Sequence, residues 1–232
     1  MPTSVSVFDN TIKAMILLCR PGIALDIGPG KGKYGKMLKD IEHETGLTIR
    51  KIAVEIDKDR IIDRFDLHSI YDEIINNDAA SIVKLFPSLT GDIAIAGDVI
   101  EHLTKSEGID LIEYLQYRFK QVFLVIPSDC ISYTYEDYEH ESHISIWRPS
   151  DIGRFEGGYC VQRFIDGGSR FLLCSINGIT VPPEHHFVVR DKVASERPIL
   201  YEENIEFGFL NSAVTEMRIG PSSVPNADYE AL

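Results

Sequence analysis

Two groups of residues in this sequence have the types and spacing that chemistry requires. The first is Asp98, Glu101 and His102, within Gly97-Asp98-Val99-Ile100-Glu101-His102-Leu103. If one helical turn begins there, side chains three and four positions apart share a face, so two carboxylates and an imidazole converge. Such a set can ligate a divalent cation such as Mg²⁺ or Mn²⁺, which would orient a hydroxyl and lower its pKa. Alternatively, His102 acts alone as a general base, because imidazole titrates near neutrality. The second group is the loop Asp26-Ile27-Gly28-Pro29-Gly30-Lys31-Gly32. Alternate glycines permit a tight turn and let a ligand lie against bare backbone beside a helix N-terminus.

The flanking acids suggest what that ligand carries. Asp26, at the mouth of a first strand, suits an ammonium group; Glu55, at the end of a second, suits a ribose diol, accepting two hydroxyl hydrogen bonds. Gly30-x-Gly32-x-x-Gly35 also matches a dinucleotide fingerprint, with Glu55 as its ribose acceptor. That register carries the strand through Pro29 and buries Asp26 inside it. A register starting at Gly28 leaves the strand clean, and is the one expected. Lys31, Lys33 and Lys36 oppose the dipole of the following helix, so they either meet an anion or face water.

The elements that must position these residues follow from hydropathy. Strand-length apolar runs alternate with helical-period stretches through the first two-thirds of the chain, the pattern of strand-helix units on a parallel sheet. Strands are expected at 22–27, 47–55, 71–76, 92–96 and 121–126, the last ended by Pro127. Helices are expected at 31–44, 58–68, 79–85 and 105–119, with a short one opening at Pro149. Residues 159–165 and 170–176 read as a hairpin around Asp166-Gly167-Gly168. Beyond residue 177, prolines at 182, 183, 198, 221 and 225 break any long element. Phe187, Phe207, Phe209 and Leu210 need a surface to cover, which makes this extension an arm, a lid or a homo-oligomer contact.

With 232 residues, 44% hydrophobic and 25% charged, the chain is an ordinary globular one, which excludes disordered and collagen-like classes. A net charge of −13 repels a phosphate backbone and disfavours nucleic acid as partner. Cys19, Cys130, Cys160 and Cys174 form no Cys-x-x-Cys pair, so they read as buried small hydrophobes in a reducing compartment. The apolar run at 14–19 is too short to span a bilayer and no basic leader precedes it, so the expected location is cytoplasmic, without a membrane partner.

On the Asp26-x-Gly28-x-Gly30-x-Gly32 motif, with Glu55 following the second strand, the sequence resembles the class I S-adenosylmethionine-dependent methyltransferases over about residues 20–176. The resemblance implies a doubly wound, Rossmann-like seven-stranded sheet, mostly parallel with an antiparallel C-terminal hairpin, in a domain of residues 1–176, plus an extension at 177–232. It implies S-adenosylmethionine (SAM) as cofactor, bound by Asp26, Gly28, Gly30, Gly32, Glu55, Asp78 and Asp98. Asp78 would sit near the adenine amine; read locally, it is also ordinary turn and helix-cap chemistry.

The segment Asp98-x-x-Glu101-His102 is similar to the Glu/Asp-x-x-Glu-His motif of two methyltransferase groups, those of ubiquinone synthesis and those acting on the terminal 2′-hydroxyl of small RNAs. Both groups usually carry glutamate where this chain has Asp98. The likeness implies a divalent metal on Asp98, Glu101 and His102, with His143 of Glu139-His140-Glu141-Ser142-His143 as a fourth ligand. His102, Glu101 and His143 are then the catalytic candidates. Tyr133, Tyr135 and Tyr138 either wall a substrate pocket or face solvent, and Trp147 is assigned to packing. The expected activity is O-methylation of a small or medium-sized acceptor such as a sugar, phenol or secondary metabolite. The alternatives are a metal-dependent RNA 2′-O-methyltransferase, an NAD-dependent oxidoreductase and a non-catalytic nucleoside-binding module.

Overall fold

The computed structural model describes residues 5–128, 142–164, 169–192 and 204–210. Seven strands form one sheet: β1 (Ile23–Ile27), β2 (Arg50–Glu55), β3 (Glu73–Asn76), β4 (Gly91–Gly97), β5 (Phe119–Pro127), β6 (Gly158–Phe164) and β7 (Arg170–Asn177). Their order is β3-β2-β1-β4-β5-β7-β6. The first five are parallel, and β7 inserts antiparallel between β5 and β6. The expected fold class is present, including the antiparallel hairpin. The turn expected at Asp166-Gly167-Gly168 lies outside the described residues.

Strands buried on both faces must be apolar throughout, because alternate side chains enter opposite layers. Leu25, Ile27, Ala94, Ala96, Val122 and Leu124 enter one layer, with Leu111, Ile112 and Leu115 of helix α4 (Lys105–Arg118). Ala24, Ile93, Ile95, Phe123 and Val125 enter the other, with Phe8, Ile12, Met15 and Leu38 from around α1 (Asp9–Cys19) and from α2 (Lys33–Thr45). By the same alternation Asp26 falls in the layer of Ala24, under α2.

Several elements differ from expectation. The run at 14–19 is the end of α1, a helix the pattern did not announce, whose buried face carries Ile12, Met15 and Ile16. The helix expected at 58–68 is a π-helical turn (Lys58–Asp63) and a 3-10 turn (Leu67–Ser69), interrupted by Asp66 at φ 49°. The helix expected at 79–85 shrinks to α3 (Ile82–Leu85), because a turn built on Asn77 and Asp78 occupies its start. A one-turn α5 (Pro149–Ile152) opens at proline as expected.

Residues Phe187–Asp191 and Ile205–Phe209 form an antiparallel pair, β8 and β9. Phe187 and Phe207 are buried against Phe123 and Leu173, so the described part of the C-terminal extension covers the domain's own sheet. The rest of the extension, residues 193–203 and 211–232, lies outside the described residues. Fully buried Arg163 of β6 pairs with Asp191 at 2.7 Å and ties the hairpin down. No helix among the described residues is long and apolar enough to cross a membrane.

Candidate active site

Strand β1 ends at Ile27, so the turn begins at Gly28 and the strand stops short of Pro29. Gly28, Gly30 and Gly32 have φ of 64°, 52° and 76°, left-handed values that L side chains adopt only with strain. A Cβ on Gly28 would fall 2.7 Å from Cγ2 of Val99. The glycine loop therefore packs directly on the turn after β4.

Asp26 departs from expectation. It lies within the buried end of β1, at 0% exposure, rather than at the strand's mouth. The Tyr71 hydroxyl donates to its Oδ2, and Oδ1 has no hydrogen-bond partner among the described residues. Burial pushes its pKa up from 3.8 to about 7, assisted by the Glu55 carboxylate and opposed by the Tyr71 hydrogen bond and Lys33. Tyr71, outside β3 and not singled out by the sequence, also accepts from the Gly35 N–H at 3.1 Å.

Glu55 ends β2 as expected, nearly buried, with Oε1 accepting from the Asp57 N–H at 3.0 Å. Its backbone is clamped by Asn76, whose side-chain amide donates to the carbonyls of Glu55 (2.8 Å) and Ile56 (3.0 Å). Asn76 is a second residue the sequence did not single out; its signal is its place opposite Glu55 in the β2-β3 register. Asp78 accepts from the Ser81 N–H at 2.9 Å, the local turn chemistry. Of the three lysines, Lys33 pairs with Asp9 and donates to the Val5 carbonyl, while Lys36 donates to the Lys31 carbonyl. The anion that the helix start pointed to is, for Lys33, the protein's own Asp9.

At the end of β4, Asp98 is left-handed at φ 54° and its Oδ2 accepts from the Val5 N–H at 3.2 Å. The following turn is 3-10 and spans only Ile100–His102, so the three-residue convergence expected of one helical turn does not form. Instead Glu101, His102 and His143 come together, with one candidate ligand atom from each lying within 4.8 Å of the others. Asp98 is not in that group, although its charge, second to burial, drives the Glu101 pKa well above the usual carboxylate range.

His143 is delivered by stitching. The Ile144 and Ser145 amides donate to the Glu101 carbonyl at 2.8 and 3.1 Å. Trp147, fully buried, donates to the Ile100 carbonyl and to Ser145 Oγ. Its ring lies against Gly108, where a Cβ would fall 2.5 Å from Cζ2, and Lys105 Nζ lies 3.6 Å from the ring centroid. Trp147 is thus a packing residue, as expected. The His102 and His143 rings meet edge to face at 4.8 Å. Tyr133, Tyr135 and Tyr138 lie outside the described residues.

The set fits a divalent cation. Glu101 is 1% exposed and neither of its carboxylate oxygens has a hydrogen-bond partner among the described residues. A buried carboxylate in that state calls for a proton or a cation. His102 Nδ1 lies 3.2 Å from the Ser142 carbonyl; as the donor there, it leaves the ring's lone pair on Nε2, 3.9 Å from Glu101 Oε1.

No protein-family model matches the chain, and no curated protein matches it in sequence. Solved structures resemble it in fold. The methyltransferase domain of bacterial CtHen1-CN aligns with a TM-score of 0.52 and 17% identity, over 74% of this chain and 98% of that one. The N-terminal domain of EvdMO1, with S-adenosylhomocysteine (SAH) bound, aligns with a TM-score of 0.54 and 10% identity, over 74% and 81%. An O-methyltransferase family protein from Burkholderia thailandensis aligns with a TM-score of 0.48 and 13% identity over 75% of this chain, which spans 58% of that protein's length. The fold is the Rossmann-like sheet of the SAM-dependent methyltransferases.

Proposed function

We propose that this chain is a SAM-dependent methyltransferase acting on a hydroxyl of a small or medium-sized acceptor, such as a sugar, phenol or secondary metabolite. The observation that carries the reading is the juxtaposition, through Val99, of the left-handed glycine loop with the Glu101, His102 and His143 cluster at one edge of the sheet. The fold likeness to EvdMO1, a structure with SAH bound, supports the cofactor. The sheet order also weighs against a nicotinamide cofactor, because the usual dinucleotide sheet is 3-2-1-4-5-6 without an antiparallel strand between its last two. The net charge of −13 weighs against RNA as acceptor.

Gly28, Gly30 and Gly32 would admit the cofactor against the backbone, Glu55 would hold its ribose, and Asp26 its ammonium. Asp78 and Asp98 flank the same edge. When bound, SAM supplies an electrophilic methyl carbon on a sulfonium. The protein's task is to align a nucleophile and weaken its O–H bond. A divalent cation would be held by Glu101, His102 and His143, where its Lewis acidity would lower a hydroxyl's pKa. Without it, His102 Nε2 carries the lone pair that takes the proton.

The test is a calorimetric titration with SAH, run with Mg²⁺ or Mn²⁺ and again with a chelator, beside an NAD titration. Saturable binding of SAH and none of NAD is the expected result. Binding of NAD in its place would return the site to the Gly30 register. Transfer of labelled methyl to a panel of hydroxyl acceptors then separates an enzyme from a nucleoside-binding module.

A further inference from the structure

Of the buried unit formed by Asp26, Tyr71 and Gly35, only Asp26 is among the expected cofactor contacts. A phenol has one hydrogen to give. Tyr71 commits it to Asp26 Oδ2, so the Gly35 N–H must meet a lone pair of the same oxygen. That N–H belongs to the first turn of α2, where amides lack an intrahelical partner. Gly35 has no side chain to keep the ring away: a Cβ there would lie 2.4 Å from Cζ and 2.5 Å from the hydroxyl oxygen of Tyr71. The helix start, the phenol and the carboxylate are therefore one hydrogen-bonded chain, ending two residues before Gly28. The groups acting on Asp26 are the Tyr71 hydroxyl, the Glu55 carboxylate, the Lys33 ammonium and the Gly35 amide.

We propose that Tyr71 is a positioning residue of the cofactor site: by occupying Asp26 Oδ2, its hydroxyl holds the carboxylate so that Oδ1 exchanges a proton for the ammonium group of the bound ligand. This inference rests on the methyltransferase reading. A carboxylate enclosed at 0% exposure with one oxygen unpartnered among the described residues is costly unless a cation or a proton meets it. In the ligand-free protein the proton does so up to about pH 7. Ligand binding then releases that proton, and Tyr71, which pulls the titration down, sets the pH at which release stops being a penalty.

The experiment measures the dissociation constant of SAH on the full chain from pH 5.5 to 8.5, for wild type, Tyr71→Phe, Gly35→Ala and Asp26→Asn. Wild-type affinity weakens by about tenfold between pH 8 and pH 6, the effect of one linked proton with a midpoint near neutrality. Tyr71→Phe removes the hydroxyl and Gly35→Ala displaces the ring, and both move the midpoint to higher pH. Asp26→Asn gives a flat profile. A variant at Tyr71 or Gly35 whose affinity falls by one factor at every pH, with the midpoint unmoved, reduces Tyr71 to a structural role and overturns the proposal. A wild-type profile as flat as that of Asp26→Asn overturns it too, while leaving the methyltransferase reading in place. Absence of SAH binding to wild type at every pH sinks that reading itself.

Discussion

Asp26 and Glu101 are two carboxylates enclosed at the same edge of the sheet, and their surroundings differ in kind. Asp26 is met by a phenol that is itself anchored on a helix amide, and one of its oxygens is satisfied. Glu101 is met by two imidazoles and, among the described residues, by no hydrogen-bond donor to either oxygen. Water would be the cheapest partner for either group, and burial denies it to both. The first arrangement suits a cation that arrives with hydrogens of its own, such as an ammonium. The second suits a bare cation whose remaining coordination comes from ring nitrogens. On the proposed reading, one enclosed acid serves cofactor recognition and the other the reacting hydroxyl.

The largest effect that would sharpen this contrast is on stability. Burial raises the folded pKa of Asp26 from 3.8 to about 7, so the folded chain keeps a proton that the unfolded chain surrenders near pH 4. This contribution is greatest below about pH 4 and is lost as pH rises to about 7, on the order of 4 kcal/mol in all. Denaturant unfolding of Asp26→Asn, followed from pH 4 to pH 8, should decline less than wild type by about that amount. Identical slopes would remove Asp26 as a buried titrating acid.

Glu101→Gln comes next. Mn²⁺ affinity, read by titration, should fall by more than about a hundredfold, since outer-shell partners alone are worth 10–100-fold. SAH affinity should stay within about twofold. Asp26→Asn should show the opposite pair of results, and equal damage to both ligands by either variant would break the comparison.

Smaller and more indirect is Gly108→Ala. Its new Cβ would press on Trp147, at a cost of about 1–3 kcal/mol in overpacking. Because Trp147 holds the segment that carries His143, Mn²⁺ affinity should weaken while SAH affinity does not. The smallest change is Thr104→Ala. Thr104 and Glu107 form a reciprocal cap on α4, and its loss should lower the thermal midpoint by an amount equivalent to about 1 kcal/mol without changing either affinity.

What the sequence made legible divides along the same line. The strands that carry the site are fixed by short apolar runs ending in glycine or acid, and β1 to β5 lie where those runs are. Glu55, the Gly28 register, and the pairing of Glu101 with His102 follow from spacing along a strand and its turn. Tyr71 and Asn76 were invisible because their partners are distant in sequence: Asp26 is 45 positions from Tyr71, and the Glu55 carbonyl 21 from Asn76. Asp98 stands outside the group of Glu101, His102 and His143 and its backbone is left-handed, which no side-chain periodicity registers. The hairpin of β8 and β9 was hidden by the prolines around it, although Phe187 and Phe207 announced that something needed covering. The burial of Asp26 was obscured by chemistry, since an acid beside a glycine loop is more readily pictured facing a ligand than lying beneath a helix.

The place of β7 between β5 and β6 has a consequence for how this chain is made. Strand β5, apolar on both faces from Val122 to Ile126, finds β4 already synthesised but must wait for its other neighbour until residue 177 has been added. At a ribosomal rate of about 5–20 residues per second, a sticky, half-paired edge stands open for on the order of seconds. During that interval the exposed apolar edge favours association between nascent chains. Slowing collisions between chains, by cooler growth or weaker induction, should raise the soluble yield more than any substitution in the finished domain.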